Sequence, residues 1–114
     1  MDIIVSDNKL RRTLETESAQ KRAFGTDIAG KLRLRLAALK AAESLVDFWP
    51  PKSLPERCHE LEGQRKGTFS IDLKHPFRLI LRPMKARTKE QTDEQQWWSC
   101  ITEIEIISIE DTHG

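Results

Sequence analysis

Residues 67–82, GTFSIDLKHPFRLILR, decide the fold. Phe69, Ile71 and Leu73 recur at every second position, and after a short break so do Phe77, Leu79 and Leu81. Successive side chains of a strand point to opposite faces, so each set lies on one side of an extended segment. The intervening Lys74-His75-Pro76 has room only for a tight turn. This spacing predicts strands over residues 67–73 and 77–82, joined as an antiparallel hairpin. Arg78 and Arg82 then fall on the face opposite the apolar set.

Upstream, residues 57–61 read as a further short strand, and Phe48-Trp49-Pro50-Pro51 must stop any helix, because successive prolines remove backbone donors. Before that stop, Ile28, Leu32, Leu36 and Leu39 follow one face at helical spacing, with Thr26 or Asp27 as the expected cap. Lys31, Arg33, Arg35 and Lys40 occupy the other faces and read as a solvated surface. Leu10 and Leu14 predict an earlier amphipathic helix that starts after Ser6 or Asp7 and ends before Gly25. Ile3, Ile4 and Val5 suit a brief first strand. Downstream, residues 84–96 lack periodicity and read as a polar loop or hairpin tip. Residues 97–109 read as a long last strand, whose change of parity from Ile104 and Ile106 to Ile107 and Ile109 suggests a bulge or a strand with both faces partly covered. The expected class is α+β, with two N-terminal helices on one face of a largely antiparallel four- to five-stranded sheet.

The 114 residues are expected to form one domain, 1–114, without a composition shift that would mark a linker. No stretch is apolar enough for a membrane span and no export signal is visible, so the expected location is cytoplasmic. Cys58 and Cys100 read as reduced thiols rather than a disulfide framework. The net charge of +1 conceals a polarised distribution. Residues 63–89 carry eight Lys or Arg against Asp72 alone, whereas from Glu90 onward there are seven acids and no Lys or Arg. A basic surface of this kind favours an anionic partner.

The segment from Cys58 to Ile71, CHELEGQRKGTFSI, followed by Phe77 to Arg82, FRLILR, resembles the LHPLKG-x-RKG-x-WSI and WRI-x-FR pattern of RelE/ParE superfamily toxins, in their HigB-like branch. KLRLRLAALKAAESL, residues 31–45, resembles the second helix of that branch. Asp111, Thr112 and His113 stand where these proteins commonly end in Asp-Tyr-His. The similarity spans nearly the whole chain, with residues 84–96 as an apparent insertion.

What the resemblance implies is the toxin of a type II toxin-antitoxin module, a ribosome-dependent endoribonuclease that cleaves mRNA and is held inactive by a helix-turn-helix antitoxin of HigA type. The chemistry would use neither metal nor cofactor: the ribose 2′-OH attacks the adjacent phosphorus. That reaction needs a base, cations around the phosphorane charge and an acid for the leaving oxygen. His59 and His113 are the proton-transfer candidates, Arg78 the charge stabiliser, and Asp111 an orienting carboxylate. Arg65, Lys66 and Arg82 are candidate RNA-binding cations. Two positions depart from the pattern: Glu62 stands where many relatives carry lysine, and Thr112 replaces the terminal tyrosine. Glu62 would repel phosphate if it faced the site, and base stacking would fall to Phe77, Trp97 or Trp98. A protein of the same fold that acts only by binding, to DNA gyrase or as a co-repressor with its antitoxin, is the alternative.

Overall fold

A computed structural model of the chain describes residues 1–111. Its five strands are β1 (Asp2–Ile4), β2 (His59–Glu60), β3 (Phe69–Asp72), β4 (Phe77–Pro83) and β5 (Glu103–Asp111). They form one sheet in the order β1-β5-β4-β3-β2, with β1 parallel to β5 and every other pair antiparallel. The α+β class is therefore as expected.

The hairpin forms as its alternation requires. Phe69 lies opposite Leu81 and Ile71 opposite Leu79, and the turn closes through a bond from the Phe77 amide to the Lys74 carbonyl, 2.9 Å. Phe69, Ile71, Leu79 and Leu81 are fully buried in one cluster with Leu32, Leu39, Trp97 and Trp98. Burying such side chains, at about 1.5–3 kcal/mol each, is the main force holding helices to sheet.

The helical layer differs from expectation at its start. The segment before Gly25 is two helices, α1 (Asn8–Glu15) and α2 (Glu17–Phe24), rather than one. Thr16 separates them: its backbone is extended, at φ −134° and ψ 151°, and its hydroxyl accepts from the Ala19 amide, so it caps α2. Asp7 caps α1 in the same way through Leu10. Gly25, at φ 83°, makes the corner into α3 (Thr26–Ala41), a conformation that side chains disfavour. Thr26 and Asp27 lie inside the first turn of α3 instead of capping it, and Asp27 receives Lys74 Nζ at 2.7 Å. Leu32 and Leu39 are fully buried, as their spacing demands.

The last third departs most. Residues expected to begin the final strand form a helix, α4 (Glu94–Cys100), which starts within the expected loop. Asp93 caps it by accepting from the Gln96 amide, 2.9 Å. Trp97 and Trp98 are both buried, which adjacent residues on a strand with one open face cannot be, and which one side of a short helix permits. The change of parity within β5 is real. Pairing with β4 shifts register between Ile80 and Leu81, so that Leu81 faces Ile106 while Ile80 faces Ser108. Ile107 is the extra residue, and the bulge returns Ile109 to the core side opposite Leu79. No helix among the described residues is long and apolar enough to cross a membrane.

Candidate active site

The face of the sheet opposite the core carries the chemistry-bearing residues in two cross-strand rows. One runs from His59 through Ser70 and Ile80 to Ser108, and the next from Asp72 through Arg78 to Glu110. Strands about 4.8 Å apart and a two-residue offset of about 6.8 Å put the Cα atoms of His59 and Arg78 roughly 12 Å apart. His59 and Arg78, which are 19 positions apart in sequence by their numbers, are thus brought to one surface.

His59 has a defined ring orientation. Its Nδ1 lies 2.8 Å from the Arg57 carbonyl, which can only accept, so Nδ1 carries the proton in the neutral ring. Nε2 is then the nitrogen with a lone pair, as a general base requires. The carbonyl belongs to a constrained loop: Lys52, Leu54 and Arg57 all have positive φ, at 61°, 60° and 48°. Arg57 Nε also reaches Asp72 Oδ2 at 3.3 Å.

That loop is held from behind by Arg35, which the spacing of α3 assigns to a solvated face and which is instead buried. Its Nε donates to the Asp72 carbonyl at 2.8 Å, its Nη2 to the Pro55 carbonyl at 3.2 Å, and its Nη1 lies 4.0 Å from Glu56. One guanidinium thereby ties α3 to the end of β3 and to the loop that orients His59.

The four cations differ in what holds them. Arg78 is half-buried and has no carboxylate within ion-pair distance among the described residues, although its charge contributes to holding Glu110 ionised. Arg65 is committed to Glu110 by two parallel bonds of 2.8 and 2.7 Å. These bonds, with lesser help from the Ser108 hydroxyl, hold the Glu110 carboxyl below the usual carboxylate range. Arg65 follows edge strand β2 while Glu110 lies on β5, so the pair links segments that β3 and β4 separate in the sheet order. On this face, expected to be open, Ser70 is completely buried and Ile80 nearly so. Arg82 donates to Glu105 at 3.0 and 2.7 Å and keeps that carboxyl low as well. Lys66 is exposed beside the turn. Glu110 and Glu105, the partners of two expected RNA-binding cations, were not singled out by their sequence positions.

Two grooves flank the turn of residues 61–68. One of about 690 Å³ is lined by His59, Lys66, Lys52 and Glu62, so the carboxylate that departs from the toxin pattern shares a groove with the candidate base. Another of about 550 Å³ is lined by Lys66, Arg82, Lys85, Arg87 and Trp97. Lys66 borders both. Asp111 pairs with Phe77 at the end of β5, next to Arg78 in register. His113 lies outside the described residues. The aromatic candidates for stacking are occupied: Trp97 and Trp98 are buried against Phe69, with ring centroids 5.3 Å apart, and Phe77 packs on the core. Burial pushes the Cys58 thiol up, which keeps it protonated and a core residue. Among the described residues no three His, Cys, Asp or Glu side chains are grouped as metal ligands.

No family model matches the sequence, and no curated protein matches it. The fold is similar to that of the YoeB/ParE toxin from Agrobacterium tumefaciens, with a TM-score of 0.56 over 97% of this chain and 98% of that one. At 11% identity the likeness concerns the fold, which is RelE/ParE-like.

Proposed function

We propose that the chain is the toxin of a type II toxin-antitoxin module and, within it, a HigB-like mRNA endoribonuclease that acts on the ribosome in the cytoplasm. The observation that carries the reading is the pairing, on one sheet face, of an imidazole whose Nε2 holds the lone pair with Arg78, which lacks a carboxylate partner among the described residues. In this reading the ribose 2′-OH gives its proton to His59 Nε2 as its oxygen attacks phosphorus. The bond to the 5′-oxygen breaks, the leaving oxygen takes a proton from an acid, and a 2′,3′-cyclic phosphate remains. Arg78 stabilises the negative charge of the phosphorane, an effect worth about 10²–10³ in rate for one well-placed donor. His113 is the expected acid and Asp111 its orienting partner. Lys66 contacts RNA directly, whereas Arg65 and Arg82 must exchange Glu110 and Glu105 for phosphate in order to do so. A helix-turn-helix antitoxin of HigA type is the expected partner.

The alternative, action by binding alone, is favoured by Glu62 in the His59 groove and by the two neutralised arginines. Mapping mRNA 5′ ends after induction separates the two. New ends within coding regions, lost in Arg78→Ala, support the nuclease; arrest of growth without new ends supports binding alone.

A further inference from the structure

The groove on the far side of Lys66 is lined by Glu60 and residues 66–68 and, across from them, by residues 82–87 and Trp97, of which the nuclease reading uses only Lys66 and Arg82. Its distinguishing element is Arg87. The guanidinium carbon lies 4.8 Å from the centroid of the Trp97 ring, while Nε donates to the Gln91 carbonyl at 2.6 Å and Nη2 to the Thr92 carbonyl at 2.9 Å. The bonds close residues 87–92 into a loop, with Gln91 Oε1 accepting from the Thr88 amide, 2.8 Å. A planar cation is thus fixed over a buried indole at the wall of a groove, with little side-chain freedom left to lose on binding.

The groove's charge is one-sided. Lys66, Lys85 and Arg87 line it, Arg82 is neutralised by Glu105, and the lining acid, Glu60, is engaged by the Gly67 amide at 2.9 Å. Pro83 and Met84 add apolar surface beside the cations. Cations spaced along a trough, together with an immobilised guanidinium plane, are what a single-stranded polynucleotide engages: phosphates meet ammonium groups and a base stacks on the arginine plane. Double helices present no unstacked base to such a plane.

We infer that this groove is a subsite for single-stranded RNA flanking the scissile phosphate, with Lys66 as the step between the His59 groove and the Lys85–Arg87 wall. The inference rests on the nuclease reading for its substrate, and the test is independent of cleavage. The probes are fluorescein-labelled 2′-O-methyl oligouridylates of three and nine nucleotides, which lack the attacking hydroxyl, titrated into the full chain and followed by fluorescence anisotropy. Lys85→Glu changes an exposed side chain, so it tests the groove without disturbing packing; Arg87→Ala tests the plane, with circular dichroism to establish folding. Both substitutions weaken the nine-nucleotide probe about tenfold or more and leave the three-nucleotide probe within about twofold. For Lys85→Glu the slope of log affinity against log salt also falls by about 0.7 or more, the share of one phosphate contact to a single strand. Unchanged nine-nucleotide affinity in Lys85→Glu overturns the subsite, as does equal loss on both probes or tighter binding of a duplex of the same length. The nuclease reading fails separately, if wild-type induction yields no new mRNA 5′ ends while the groove still binds.

Discussion

On one side of the β3–β4 hairpin, Phe69, Ile71, Leu79 and Leu81 are fully buried against apolar side chains of α3 and α4; on the other, Ser70 and Ile80 are just as inaccessible, on a face that also carries Arg78 and Glu110, the carboxylate that holds Arg65. The first cover is a dry core that cannot be lifted without unfolding. The second face is tied to the β2 side by Arg65 held on Glu110, both partly exposed, and an exposed pair of this kind contributes at most about 1 kcal/mol. Burial alone therefore does not distinguish a structural surface from a working one. What distinguishes them is the energy needed to uncover each.

The largest effect is expected on the dry side. Phe69→Ala removes a ring that packs on both Trp97 and Trp98 and should cost about 3–5 kcal/mol in urea denaturation. A cost under about 1 kcal/mol would break the contrast at its root. On the polar side, Arg78→Ala should lower mRNA cleavage about 10²–10³-fold with the denaturation midpoint nearly unchanged. Equal losses of stability and activity would mean that Arg78 is scaffold.

Arg35→Leu tests the link between the faces. It leaves the Asp72 and Pro55 carbonyls without their donor, and one such buried group costs about 1–3 kcal/mol. Cleavage should fall further than stability alone explains, because the loop that orients His59 loses its anchor; proteolysis within residues 52–57 should rise in parallel. The smallest effect is expected for Glu110→Gln, under about 1 kcal/mol at neutral pH. Since Arg65 lowers the folded pKa of Glu110, the wild-type pair contributes stability above the ordinary carboxylate value of about 4.3 and loses it as pH falls through the lower folded value. The variant should therefore show a shallower decline of stability below about pH 4. An identical acid profile would show that the pair does not stabilise the fold.

The dry side was legible in the sequence because a period of two is hard to produce by accident and has one structural meaning. Phe69, Ile71, Leu73, Leu79 and Leu81 all lie where alternation assigns them. The bulge was legible for the same reason, as a break in parity at Ile107. The Arg65–Glu110 pair was not, because its members are 45 positions apart and nothing local records their meeting. Arg35 was misread since a cation among cations on a helix looks solvated, and only the arrival of the 52–57 loop gives it carbonyls to bind. The last third misled through composition: two tryptophans next to an isoleucine-rich stretch favour a strand, and the Asp93 cap that starts α4 is a single residue in a polar run. Of the candidate site, Arg78 was placed on its face by alternation, while the face of His59 followed from the β2–β3 register and its tautomer from a backbone carbonyl, neither of which a sequence pattern reveals.

The parallel pairing of β1 with β5 joins residues about one hundred positions apart, Asp2 to Glu103, and so closes the longest loop in the sheet. A ribosome adding roughly 5–20 residues per second leaves β1 without its neighbour for several seconds. In the last part of that interval Arg65 and Arg82 exist without Glu110 and Glu105, and β4 has an unpaired edge. The half-made chain is then at its most cationic, because the seven acids from Glu90 onward are still to be added. Order of synthesis, as much as the finished geometry, thus sets when the charge of this sheet is balanced and its edge closed.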